Sequence, residues 1–168
     1  MNSVNSNIEC PDPLEMLIAE HQKDLELLDG IEKELESIQA NGFTAEAFKH
    51  VADSLRQVGK EIHRHCDMEE RHLFPLLEKH LFESPNIIRY ERREMWHTFN
   101  RLMDFVKDVE DGKIHGTTIR EFIQMTKNVV LCFRSHNQKE ETILFPMVKR
   151  LLTIREYKEL QKNFGTFV

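Results

Sequence analysis

The sequence predicts an all-α protein, an up-and-down antiparallel four-helix bundle with a short C-terminal helix. Apolar residues recur every three to four positions through four long segments, and no segment alternates with the period of two that a strand requires. Short connections that contain Gly, Pro, Asp or Ser separate these segments. Long helices joined by short connections pack as antiparallel neighbours, which favours the bundle.

The first two helices follow from capping signals in the first third of the chain. Asp12-Pro13 offers an N-cap and a first-turn proline, and the helical pattern runs from there to Asn41-Gly42. Glycine at that position favours the end of a helix. Thr44 can cap a second helix, which we expect to reach about Leu81.

The remaining helices begin and end at signals of the same kind. Ser84-Pro85 opens a third helix, which ends before Asp111-Gly112. A capping box is a pair of residues three positions apart at the start of a helix. Thr118 and Glu121 form one at the start of a fourth helix, and Thr153 and Glu156 form another at the start of the short C-terminal helix. The fourth helix is expected to run to about Leu152.

The composition indicates one domain that folds on its own core. A chain of 168 residues with 40% apolar residues is large enough to do so without disulfides. We expect a flexible leader over residues 1–11 and a single domain over residues 12–168. Three cysteines without CxxC spacing fit a reducing compartment, so a cytoplasmic location is expected.

Charge and hydropathy exclude two classes of partner. The formal net charge is −6, and no stretch gathers the basic patch of a nucleic-acid binder. The apolar runs fall far short of the roughly 20 residues that span a bilayer. We therefore expect neither nucleic acid nor membrane as a partner. The sequence gives no interface for a homodimer, which stays open.

Two near copies of one motif carry the main functional signal. His65-Cys-Asp-Met-Glu69 and His136-Asn-Gln-Lys-Glu140 each precede a Leu-Phe-Pro triplet by three residues. The spacing of four places each histidine and its glutamate on one face of a helix. His21 lies at the centre of the apolar stripe of the first helix. Five polar groups from three helices are thus predicted in the core.

A shared metal ion accounts for these groups better than the alternative, in which each histidine is a hydrogen-bonded core residue. Left unpaired, each group would cost about 1–3 kcal/mol. Nitrogen and oxygen donors suit iron, manganese or zinc, and paired His-Glu turns in bundles hold di-iron and di-manganese centres. We predict metal ligands at His21, His65, Glu69, His136 and Glu140.

On these residues the chain resembles the hemerythrin-like, HHE cation-binding domain family. The resemblance extends from Asp12 to the second Leu-Phe-Pro, at 144–146. It implies a non-haem di-iron centre inside a four-helix bundle, with Glu69 and Glu140 bridging the irons. Iron is therefore expected before manganese or zinc, and two ions before the alternative of one.

The third helix departs from the family pattern, which expects a further histidine there. The one histidine available, His97, is predicted on the solvent side. Aligning Glu20-His21 with Glu94-Met95 puts a methionine in the histidine position, and aligning it with Glu91-Arg92 fits almost as well. Glu91 could supply a carboxylate from the core side, whereas a thioether is a poor ligand for ferric iron. Without Glu91 the site would be one ligand short.

Two functional classes fit such a site. The preferred one is a non-catalytic module that binds, senses or stores iron or a diatomic gas, O₂ or NO. The alternative is a cytosolic di-iron enzyme that acts on peroxide or nitric oxide or repairs iron–sulfur clusters. Repair-type relatives usually carry an N-terminal cysteine-bearing domain, whereas only Cys10 and a short leader precede the first helix. A metal-free bundle is a third hypothesis.

Overall fold

The computed structural model describes residues 11–81, 86–113 and 118–166, and this part of the chain is almost entirely helical, with no strand. The predicted all-α class is therefore confirmed for these residues. The leader lies outside them, except for Pro11. None of the described helices has the length and apolar content needed to cross a membrane. The helices are α1 (Pro13–Asn41), α2 (Ala45–Met68), α3 (Phe74–Glu78), α4 (Asn86–Glu110), α5 (Thr118–Lys139), α6 (Phe145–Leu151) and α7 (Ile154–Gly165).

The predicted second and fourth helices each contain a π-helical turn at the functional motif. One turn joins α2 to α3 over Glu69–Leu73, and the other joins α5 to α6 over Glu140–Leu144. The sequence predicts that Pro75 and Pro146 bend these helices, because proline lacks an N–H and clashes with the carbonyl four residues earlier. The wider turn before each proline is how the chain accommodates it. Each turn begins at a motif glutamate.

Several predicted helix ends are confirmed. The Asp12 side chain accepts hydrogen bonds from the first-turn backbone N–H groups, and Thr153 with Glu156 forms a complete capping box. Thr118, predicted as a cap, is itself the first residue of α5, a difference of one position that is common at helix ends. The predicted start of the third helix at Ser84-Pro85 lies outside the described residues.

A buried polar layer separates two apolar clusters, and α1 shows the division most clearly. Leu14 and Leu17 belong to one cluster, whereas Leu28 and the apolar residues after it belong to the other. Between them lie His21 and Asp24, both almost completely buried. Apolar packing therefore borders this layer on both sides.

The C-terminal helix is tied to the start of the first one by a side-chain hydrogen bond. The Tyr157 hydroxyl donates to Oδ2 of Asp12 at 2.8 Å, and Oδ1 of Asp12 accepts from the N–H of Leu14 at 2.9 Å. We expect Asp12→Ala to lower the free energy of unfolding in urea by about 1 kcal/mol, since it removes a cap and an interhelical bond. Tyr157→Phe, which removes only that bond, should cost less. An equal loss in both variants would contradict the capping role.

Candidate metal centre

Four predicted ligands, from α1, α2, α5 and the π-helical turn after α5, converge in the buried polar layer. Nε2 of His21 lies 3.1 Å from Oε2 of Glu140, and Nε2 of His65 lies 3.7 Å from the same oxygen. Nε2 of His136 lies 3.5 Å from Nε2 of His65 and 3.2 Å from Oε1 of Glu140. His21, His65 and Glu140 are buried, and His136 is partly buried.

The ligand atoms of His21, His65 and Glu140 lie within 4.8 Å of one another, which fits ligands of one metal ion. Metal–nitrogen and metal–oxygen bonds of about 2.0–2.2 Å place neighbouring ligand atoms about 3.0–3.5 Å apart. His65 and His136 also turn ring nitrogens towards each other, with the rings stacked at 5.7 Å. A cation between two such nitrogens would satisfy both lone pairs. The residues present therefore fit the metal ion that the sequence predicts.

Burial keeps two of the imidazoles in the neutral form that binds metals. It lowers the pKa of His65 to about 3 and the pKa of His136 to about 4. For His21, burial alone would lower the pKa, but contacts with Glu140 and Glu141 outweigh that effect and raise it. The acidic side chains around His21 therefore attract positive charge to this end of the site.

Two carboxylates contact the far side of the histidine rings. Oε1 of Glu141 lies 2.8 Å from Nδ1 of His21, and Oδ2 of Asp24 lies 3.8 Å from Nδ1 of His65. A carboxylate bonded as Glu141 is orients a metal-bound histidine and fixes its tautomer, whereas Oδ2 of Asp24 and Nδ1 of His65 make no hydrogen bond among the described residues. The sequence interpretation missed Asp24, although it lies three residues after His21 on the same helix face. Burial raises the pKa of Asp24 to about 7.

Arg92 of α4 is the other site residue that the sequence interpretation missed. Its side chain is 8% exposed, and its Nη2 donates to Oε2 of Glu69 and to Oε1 of Glu140, the latter at 2.6 Å. The guanidinium also lies over the ring of Phe74, 4.6 Å from its centroid. Burial alone would lower the pKa of Arg92, but Glu69 and Glu140 raise it above the usual value. Arg92 is therefore a permanent buried cation.

Glu69 lies deep in the site but faces Arg92 rather than the histidines. It is fully buried, and its second oxygen, Oε1, has no hydrogen-bond partner among the described residues. Burial and the nearby Glu140 raise the pKa of Glu69. Its position thus differs from that of Glu140, which contacts all three histidines.

The structure of α4, the predicted third helix, agrees with the alignment that matches Glu20-His21 with Glu91-Arg92. Arg92, in the histidine position of that alignment, reaches the site, whereas Met95 is buried in an apolar cluster. Arg92 also fills a gap in the apolar stripe between Ile88 and Met95, which is the signal that could have revealed it.

Glu91 lies outside the cluster, contrary to the role expected for it as a ligand. Its side chain is 43% exposed and its Oε1 lies 2.9 Å from Nζ of Lys139. The position is one residue out of phase with the buried Arg92, so the helix turns Glu91 towards the surface. His97 is exposed, as predicted.

Cys66 adds a thiol next to the histidines. Its Sγ lies 3.4 Å from Nε2 of His136, so His65, Cys66 and His136 form a second group of potential ligands. Burial raises the pKa of Cys66 well above its usual value, which keeps the thiol protonated and weakens it as a ligand. The group of His21, His65 and Glu140 is therefore better prepared for a cation.

The helices that provide these side chains lie within the region covered by a family match. A family model described as Hemerythrin HHE cation binding domain matches residues 12–148. Comparison with curated proteins gave no match, and neither did comparison with solved structures.

Proposed function

We propose that this chain, which belongs to the hemerythrin HHE cation-binding domain family, binds non-haem iron. The proposed ligands are His21, His65, His136 and Glu140. The observation that supports this most strongly is the convergence of ligand atoms of His21, His65 and Glu140 within 4.8 Å of one another, with Nε2 of His136 3.5 Å from Nε2 of His65. We also propose the up-and-down four-helix bundle, which is supported by packing of α1 against α2 and α5 and of α4 against α5.

The protein's own groups would prepare this site for the ion. Glu141 orients the ring of His21, and Asp24 faces the ring of His65. Glu140 is almost completely buried, which strengthens the electrostatic attraction between its carboxylate and a cation. Bound iron would supply redox-active coordination chemistry, which none of these side chains provides by itself.

The role we propose is to bind, sense or store iron or a diatomic gas, rather than to catalyse a reaction. An opening of about 760 Å³ between α4 and α5 leads to His136 and Glu140. Its walls include Met95, Leu131 and Met147, and apolar walls favour a small uncharged molecule such as O₂ or NO. The free thiols of Cys66 and Cys132 support a cytoplasmic location as part of this proposal.

Removal of one histidine tests the proposed iron site. We expect His136→Ala to lose most of the iron that co-purifies with the full chain, since it removes a donor that contacts both His65 and Glu140. His97→Ala is the matched control, because His97 is exposed, and it should retain iron as the unchanged protein does. The measurement is iron per chain by elemental analysis. Iron retained in His136→Ala, or lost in His97→Ala, would contradict the proposed ligand set.

A further inference from the structure

We infer that the guanidinium of Arg92 takes the place of a second cation in this site, so that the chain binds one metal ion instead of two. The inference rests on the proposed iron site and departs from the di-iron centre that the resemblance implies. Its basis is the position of Arg92 between two buried glutamates, Glu69 and Glu140. These are the glutamates that the resemblance implies as bridges between two irons.

The two oxygens of Glu140 face different groups, and only Oε1 contacts Arg92. Oε2 faces the Nε2 atoms of His21 and His65, at 3.1 and 3.7 Å. Oε1 accepts a hydrogen bond from Nη2 of Arg92 at 2.6 Å, and it also lies 3.2 Å from Nε2 of His136. A carboxylate that bridges two ions offers one oxygen to each. Glu140 therefore has the arrangement of a bridge in which one of the two cations is a guanidinium.

Glu69 supports the same assignment from the opposite side. Its Oε2 accepts from the same Nη2 of Arg92 that contacts Glu140, so one nitrogen joins both carboxylates. A metal ion that bridged Glu69 and Glu140 would need the space that this nitrogen fills. A second ion beside it would also meet a permanent positive charge in a site shielded from water, where repulsion is strong.

Contacts outside the glutamates hold the guanidinium in that position. It lies over the ring of Phe74, 4.6 Å from the centroid, and its Nη1 is 3.5 Å from the backbone carbonyl oxygen of Cys66. The α4 helix contributes this arginine where the family pattern expects a histidine. The substitution thus removes a ligand for the second ion and supplies a charge that replaces the ion.

Counting bound ions tests the inference directly. The full chain, freed of metal, is titrated with ferrous iron without oxygen, and bound iron is measured by calorimetry and by elemental analysis after desalting. We expect one ion per chain in the unchanged protein and two in Arg92→Met, which frees one oxygen of Glu69 and one of Glu140. Arg93→Met, an exposed arginine on the same helix, is the charge-matched control and should bind one.

Each outcome separates this inference from the proposed function. Two ions in the unchanged protein would overturn the inference and leave the iron site intact. A single ion in a folded Arg92→Met would overturn it too, because Arg92 would then not be what excludes the second ion. No bound iron in the folded, unchanged protein would overturn the proposed function itself.

A second variant keeps the test decisive if Arg92→Met does not fold. Arg92→Lys keeps the positive charge, so we expect it to bind one ion, and two ions in this variant would overturn the inference. After oxidation, electron paramagnetic resonance of the unchanged protein should give the signal of isolated ferric ions. A spin-coupled pair would give no such signal and would overturn the inference.

Discussion

Arg92→Met is expected to lower the free energy of unfolding of the metal-free protein by about 3 kcal/mol, as measured in urea. The substitution removes the cation that contacts both buried glutamates, Glu69 and Glu140. Removing one partner of a buried ion pair is far more costly than removing a surface pair. Methionine fills similar space over Phe74, so the loss reports mainly on charge.

A second substitution in the same background separates charge from packing. Glu69→Gln added to Arg92→Met should restore a large part of the lost stability, because it makes one of the two facing groups neutral. Arg93→Met, which changes an exposed arginine on the same helix, should cost less than about 0.5 kcal/mol. A similarly small cost for Arg92→Met, or no recovery with Glu69→Gln, would contradict the role of Arg92 as the buried counter-charge.

Gly59→Ala is expected to destabilise the protein by about 1–3 kcal/mol, although alanine is the better helix former. A Cβ atom at Gly59 would lie 2.3 Å from Cζ of Phe99 on α4. Phe99 cannot retreat easily, because Trp96 and Phe133 pack against its ring at 5.5 and 5.4 Å. The packing of the Phe99 ring against Gly59 therefore requires glycine.

Gly30→Ala is the matched control for this prediction. Gly30 also lies inside a helix, α1, but a Cβ atom there meets nothing within 4 Å. It should gain up to about 1 kcal/mol from helix propensity alone. The two variants should therefore move the thermal midpoint of unfolding in opposite directions. An increase in both would contradict this prediction, because the Phe99 ring could then move away from Gly59 at no cost.

The ligand positions could be predicted because their chemistry and spacing are both visible in the sequence. The His-x-x-x-Glu motif occurs twice, and histidine on an apolar stripe is unusual enough to be noticed at His21. The geometry of the two π-helical turns was harder to predict from the sequence. Pro75 and Pro146 predict a distortion, but the sequence does not show that the chain would form π-helical turns that begin at the glutamates.

Arg92 and Asp24 were missed for a shared physical reason. Charged side chains are almost never fully buried unless they are paired. An arginine or an aspartate on an apolar stripe is therefore not expected to lie in the core. Their partners, Glu69 and Glu140 for Arg92 and His65 for Asp24, come from other helices. For Arg92, the ion pairs that permit burial therefore exist only once the helices pack. Spacing alone did place Arg92 in line with Ile88 and Met95, and Asp24 in line with Leu17 and Leu28.

The most direct test of a single iron ion beside Arg92 is anomalous X-ray diffraction at the iron absorption edge, because it locates each ion in crystals of the iron-loaded protein. One peak is expected, bounded by the donor atoms of His21, His65, His136 and Glu140, with the guanidinium of Arg92 still between Glu69 and Glu140. Two peaks with Arg92 displaced would contradict the account, as would a single peak at the surface beside Glu91.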